Sequence, residues 1–457
     1  MQRIKSRLLK MKNRDLTQGN IKKQLSSMTW PMIFGMLGMV IFNLVDTYFI
    51  GKLGVDELAA IGFTFPVVMF VNSIALGFGV GTSSLIARNI INQDKKTVQQ
   101  LASQSLLLGI LFVLVVIIIG RITIYPLFQS LGADGNILTL INFYMSIWYM
   151  GVIFVVIPMI GNNIVRATGN TFLPGMLMVM SATVNAVLDP FLIFGIGPFP
   201  EMGIKGAAVA TVIGRSSGLI FILFVLIKKY NLLTHRLGKI QEILSTWRKV
   251  LYIAGPASIT MLITPISMGI ITKLLAGYGE YAVAGFGVAI KVESFALMVV
   301  HALGSVLIIF SGQNISMKKY DRIYTAIRYS LYFCVVWGLM MFGTSMLFSK
   351  QIASVFSQNS EVINVTVNYM KIISFTYIFL GILSMSVSIF NGVNKPIPSA
   401  TLSASRMIGV YVPLALLFSN IWGLNGIFWA GFGANILIGV FAIIWLGLTL
   451  RKMEVRV

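Results

Sequence analysis

Residues 171–195 read TFLPGMLMVMSATVNAVLDPFLIFG, a mostly apolar run broken by a single acid, Asp189. A helix rising 1.5 Å per residue crosses the ~30 Å hydrocarbon of a bilayer in about 20 such residues. Eleven other runs resemble it, near 26–50, 58–86, 98–120, 137–161, 203–227, 248–272, 282–311, 323–348, 364–389, 397–419 and 424–449. None alternates apolar and polar residues in the manner of a membrane barrel, so the chain is predicted to be an all-α integral membrane protein with twelve transmembrane helices. Composition agrees: 57% of the 457 residues are hydrophobic and 11% charged, with mean hydropathy +0.87. Soluble domains carry roughly 25% charged residues.

The formal charge of +21 points to nucleic acid only until its distribution is considered. Basic residues gather in alternate loops. One side receives eight from the first 23 residues, then Arg88, Lys95, Lys96 and Arg166, the cluster from Lys228 to Lys249, Lys318, Lys319, Arg322, Arg328 and Lys395, and the tail. The other side holds only Lys52, Arg121, Lys205, Lys273 and Lys350. This asymmetry predicts a multi-pass plasma (inner) membrane protein with both termini cytoplasmic and no nucleic-acid partner. The first apolar segment is too long for a signal peptide and is expected to be retained. Cys334 is the single cysteine and His235 and His301 the only histidines, so neither a disulfide nor a Cys/His metal centre is expected, nor any enzyme activity.

A shift of 225 residues superimposes the two halves without a gap. Pro31 meets Pro256, Thr47 meets Thr272, Gly79 meets Gly304, Asn89 meets Asn314, and Tyr144–Met145 meet Tyr369–Met370. Each half has six spans, an even number, so the halves enter the membrane in the same sense. Two six-helix parallel-repeat bundles related by a pseudo-two-fold along the membrane normal are predicted. The expected divisions are a basic N-terminal segment 1–25, a first lobe 26–228, a linker 229–247, a second lobe 248–450 and a tail 451–457. Leu237, Ile240, Leu244 and Trp247 in the linker suggest an interfacial amphipathic helix.

Asp46 and Asp189 lie inside spans one and five, where an ionised carboxylate costs about 2.5 kcal/mol or more and marks ion, proton or substrate binding. The repeat pairs them with Ile271 and Leu414, so the acids belong to one lobe. Each follows a proline, Pro31 or Pro174, by fifteen residues, which predicts a common depth ~22 Å beyond the prolines. Asn185 is four residues before Asp189 and shares its helix face, and Pro190 leaves the Ala186 carbonyl without its usual donor. Carboxylate, amide and carbonyl oxygens suit a hard cation, and a proton uses the same groups. Glu293, with Lys291 two residues away, is a secondary candidate. Lys291, Lys371, Arg215 and Arg406 also lie within spans, where long basic side chains commonly snorkel to an interface. Gly35 and Gly38 beside Pro31 give span one places to bend.

WPMIFGMLGMVIFNLVDTYFIGKLG (30–54), NNIVRATGN (162–170), NAVLDPFLIFG (185–195), GAAVAT (206–211) and KVESFAL (291–297) together resemble the multidrug and toxic compound extrusion family, and its DinF-like branch in particular. The resemblance implies a first-lobe cation site of Asp46, Asn185, Asp189 and Thr211, with Tyr144 and Asn162 in its hydrogen-bond network and Pro31 as the bending point of span one. It also implies an antiporter that exports lipophilic and cationic small molecules by alternating access, coupled to H⁺ or Na⁺, without a cofactor, as a monomer surrounded by membrane lipid. Acids in spans seven and ten, which mark the NorM-like branch, are absent here. The second reading is a flippase for lipid-linked oligosaccharide, which calls for a cleft richer in cations than Arg215, Lys291, Lys371 and Arg406 supply.

Overall fold

The computed structural model describes residues 15–51, 53, 55–91 and 95–455, with backbone alone at 39, 41–48, 50, 51, 55, 58, 59 and 280. In chain order the helices are α1 (Ile21–Gly51), α2 (Val55–Asn89), α3 (Lys95–Ser130), α4 (Gly135–Gly151), α5 (Ile153–Ala167), α6 (Phe172–Phe194) and α7 (Ile204–Phe224). They continue as α8 (Ile240–Ala276), α9 (Glu280–Ser316), α10 (Tyr320–Phe356), α11 (Ser360–Ile373), α12 (Tyr377–Gly392), α13 (Pro396–Ala404) and α14 (Val412–Val455). The chain is all-helical.

Among the described residues, nine helical runs are long and apolar enough to cross a membrane, and α4 with α5, bent by 41°, form a tenth. One of the nine, Pro396–Val455, holds two spans, because Gly423 (φ 59°, ψ −139°) turns the chain inside it. A residue with a Cβ strongly resists that conformation. With α1, these make the twelve spans that the apolar runs predict.

The chain forms two compact units, one built mainly of Trp30–Ser258 and the other of Leu16–Thr29 with Ile259–Val457. Membership changes within α1 and again within α8.

In the first unit, α1 and α6 run side by side and in parallel. A Cβ on Gly35 would lie 2.7 Å from the Gly175 Cα, one on Gly175 would lie 2.6 Å from the Pro31 carbonyl, and one on Gly38 would lie 2.8 Å from Val179. Further along, the Phe49 and Phe194 rings meet edge to face at 6.3 Å. Pro31 and Pro174 therefore start the pair at one level, as their matched spacing to the acids requires. The linker differs from expectation. Residues 231–239 are irregular, and 240–247 are the opening turns of the continuous α8 rather than a separate helix. Gln99 and Gln104 hold the irregular part through the carbonyls of Asn231 and Leu237, and the Trp247 indole donates to the Gln104 carbonyl at 2.9 Å.

In the second unit the segment before α1 is tied to the turn between α9 and α10. Leu16, fully buried, donates its N–H to Gln313 Oε1 at 3.0 Å and its carbonyl accepts from Asn314 and Arg322. Arg322 also donates to the Gly19 carbonyl at 2.9 Å and to Gln24 Oε1 at 3.0 Å, and Lys319 Nζ to the Thr17 carbonyl at 2.8 Å. Asn20 then caps α1 by accepting from the Lys23 N–H. Charge-assisted bonds contribute about 1.5–3 kcal/mol each. Substituting Arg322→Met should therefore release the segment and speed tryptic cleavage after the exposed Lys22 and Lys23 by at least about tenfold, read by gel against the parent.

Candidate functional site

The site in the first unit begins with a stripe of small residues on α7. Gly206, Ala210, Gly214 and Gly218 recur every four residues and allow α7 to press against the α6 backbone. A Cβ at Gly214 would lie 2.9 Å from the Asn185 Cβ and 3.0 Å from the Ser181 carbonyl, and Ser181 Oγ donates to the Gly214 carbonyl at 2.6 Å. Backbone approach of this kind places Thr211, one position beyond Ala210, within reach of α6.

Asn185 stands at the centre. Its Nδ2 donates to Asp189 Oδ1 at 3.1 Å and faces Thr211 Oγ1 at 3.5 Å. Asn185 and Asp189 are both fully buried and Thr211 nearly so. The Asn185 Oδ1 atom is buried without a hydrogen-bond partner among the described residues. An orphaned amide oxygen, a carboxylate and a hydroxyl, beside the carbonyl freed by Pro190, form an oxygen-rich set of the kind that a hard cation or a proton satisfies. Changing Asn185 to Leu takes a donor from the buried Asp189 carboxylate and should lower stability by about 1–3 kcal/mol, seen as a drop in the melting midpoint of the purified protein.

Asp46 belongs to α1, but its side chain lies outside the described residues. Its level is still fixed by the neighbours on either side. It is eight residues after Gly38 and three before Phe49, while Asp189 is ten after Val179 and five before Phe194, the two residues packed against them. The backbones of the two acids thus lie within about one helical turn of the same level on adjacent helices. Pro31 is half-buried within α1. Tyr144 is buried on α4. Asn162, on α5, keeps its Oδ1 buried without a partner among the described residues and makes no hydrogen bond to Asn185, Asp189 or Thr211.

A second polar group lies within the other unit. Glu293, on α9, accepts a hydrogen bond from the Tyr369 hydroxyl of α11 at 2.8 Å. Arg406 Nη1 donates to Asn435 Oδ1 on α14 at 3.1 Å, and Asn435 Nδ2 donates to Thr376 Oγ1 at 2.9 Å. Glu293 and Arg406 are half-buried, and each lies in the field of the other. Lys291 and Lys371 are exposed. Arg406 does not snorkel: it is bonded inside the bundle. The sequence signal for it was a polar residue in span twelve, Asn435, able to receive a guanidinium from span eleven.

Comparison with known proteins places this geometry. The model of the MatE family matches residues 31–191 and 256–417. A protein of Shewanella oneidensis named FAD transporter is 36% identical over 431 residues, covering 94% of this chain and 95% of the relative. Bacillus subtilis YoeA, a probable multidrug resistance protein, is 26% identical and covers 93% of each chain. The crystal structure of the Vibrio cholerae MATE transporter VcmN in the bent form superimposes with a TM-score of 0.88 at 30% identity, covering 95% of this chain and 98% of that one.

Proposed function

We propose that this chain, which belongs to the MatE family of multidrug and toxic compound extrusion transporters, is a cation-coupled antiporter driven through its first lobe. The observation that carries the reading is the buried Asn185–Asp189–Thr211 cluster with its unsatisfied amide oxygen, within about one turn of the level of Asp46 on the neighbouring helix. Inward movement of H⁺ or Na⁺ supplies the energy. The ion enters from outside, neutralises Asp46 and Asp189, and removes the cost of ionised carboxylates at bilayer depth. The α1–α6 contact then relaxes around Pro31, and α1 bends. A bent form is known for the VcmN relative, which supports a hinge of this kind. Ion and cargo disfavour each other reciprocally, and exchange follows. Both termini face the cytoplasm in this scheme.

Two cargo classes are in view. YoeA supports lipophilic, drug-like molecules. The Shewanella relative, more similar in sequence over as much of the chain, supports a flavin dinucleotide. Purified protein in vesicles, given a pH gradient or a sodium gradient separately, should accumulate one of these cargoes under one gradient and not the other. No accumulation under either gradient, for a lipophilic cation and for FAD alike, overturns the antiport reading.

A further inference from the structure

The second unit carries a polar cluster that ion coupling through Asp189 does not use. Its two charged members, both half-buried, lie well within their spans. Glu293 is thirteen residues from one end of α9 and twenty-three from the other, about 20 Å and 35 Å of helix. Arg406 is held by a distortion. It stands in a π-helical stretch, Ser405–Tyr411, between α13 and α14, and its partner chain through Asn435 ends on Thr376, in a 3₁₀ turn, Ser374–Thr376, between α11 and α12. Both spans leave α-helical geometry where they contribute to the cluster. Such departures mid-span are concentrated at functional sites.

The cluster is also incompletely satisfied. A guanidinium has five donors, and among the described residues Arg406 directs one bond to Asn435. Tyr377, buried and within the field of Glu293, has a hydroxyl without a hydrogen-bond partner among the described residues. Glu293 and Arg406 act on each other through space, yet each is bonded to a neutral partner instead. A purely structural pair would be expected to meet and satisfy its donors, because separated buried charges are costly. One wall is aromatic: the Tyr369 ring packs against Phe286 at 5.5 Å and Phe428 at 5.1 Å. The low dielectric there strengthens any charge-assisted bond Arg406 makes. His301, bonded to Ser384 Oγ at 3.2 Å, lies in the field of the same guanidinium and is exposed.

We propose that this second-lobe cluster binds the phosphate or pyrophosphate group of an exported, water-soluble phosphate ester such as a flavin nucleotide, with Arg406 as the anchor and Glu293 as the built-in counter-ion that the guest displaces. The proposal rests on the reading of the chain as an exporter with flavin-like cargo and assigns that cargo's acidic group a place. Arginine offers two parallel donors to a phosphate, the geometry such groups favour. The Tyr377 hydroxyl supplies a third donor from α12. Glu293, in the absence of cargo, keeps an otherwise uncompensated guanidinium tolerable inside the bundle.

Binding to the purified full-length protein separates the outcomes. The parent should bind FAD and FMN at least about tenfold more tightly than riboflavin, which has the ring system and no phosphate, and Arg406→Gln should erase that difference without weakening riboflavin. Glu293→Gln removes the competing carboxylate and should tighten FAD binding several-fold, a gain that misfolding does not produce. Inorganic pyrophosphate should displace FAD. Equal affinity of the parent for FAD and riboflavin, or an Arg406→Gln variant that keeps the preference, overturns the site. So does displacement by short-chain phosphatidate but not by pyrophosphate, which would make the ligand a lipid headgroup. If FAD does not bind the parent at all, the flavin reading fails. Pyrophosphate that raises the melting midpoint of the parent and not of Arg406→Gln then upholds the anion site, and no shift in either overturns it.

Discussion

Substituting Asp189→Asn abolishes gradient-driven accumulation of cargo while leaving a folded, monodisperse protein. The reasoning starts from shape. Asparagine reproduces the carboxylate's outline and still offers an oxygen to the Asn185 Nδ2 that now reaches Asp189 at 3.1 Å, so packing between α6 and α7 is retained. What it lacks is a charge that an incoming cation neutralises. Each charge carried down the membrane potential supplies about 2.3 kcal/mol per 100 mV, equivalent to roughly a 50-fold concentration ratio. In vesicles with an imposed potential, the variant's accumulation ratio should fall by that factor per 100 mV, toward unity, while downhill exchange of labelled cargo persists. Gradient-dependent accumulation at the parent's level in the variant would sink the assignment of coupling to this carboxylate.

Gly206→Ala should be among the most damaging single methyl groups that can be added to the first unit. A Cβ at this position would sit 2.2 Å from the Leu192 carbonyl oxygen and 2.5 Å from its carbon, with the Ile193 nitrogen at 2.9 Å. All three are backbone atoms of α6, so no side chain can rotate away and the helices must part. Overpacking typically costs 1–3 kcal/mol, and contact with backbone favours the upper part of that range. The melting midpoint should fall by roughly 5–10 °C. Function should suffer first, because Thr211 already faces Asn185 at 3.5 Å and a small separation removes it from the cluster. Gly218→Ala is the control: its Cβ would meet nothing closer than the Ser181 hydroxyl at 3.7 Å. Equal stability of the two variants would show that the α6–α7 contact is not what assembles the site.

The spans and the Asn185–Asp189 pairing were legible because both follow from spacing along one helix. The matched prolines anticipated even the level of α1 against α6. Thr211 was not legible from spacing: it entered through family resemblance, since its contact with Asn185 depends on how closely Gly206 and Gly214 let two helices approach. Arg406 was misread for a related reason. A basic residue ten positions into a span reads as a snorkelling side chain, but the π-helical stretch around it and the amide of Asn435 keep it inside. The linker showed the limit of periodicity. Leu237, Ile240, Leu244 and Trp247 suggested a separate helix, whereas Gly238 (φ 84°) lies just before α8 begins and nothing afterwards ends it before the membrane, so its last three residues open α8 instead.

The bond between Arg322 and the Leu16 carbonyl joins residues 306 positions apart. A ribosome adds about 5–20 residues per second, so Leu16 waits roughly 15–60 s for its partner to be made. Through that interval the first unit can insert and pack, while the first piece of the second is already made and waits for the rest of it. The earliest described residues of the chain thus complete its later half, and a nascent chain stopped short of α10 holds that segment without Arg322 to secure it.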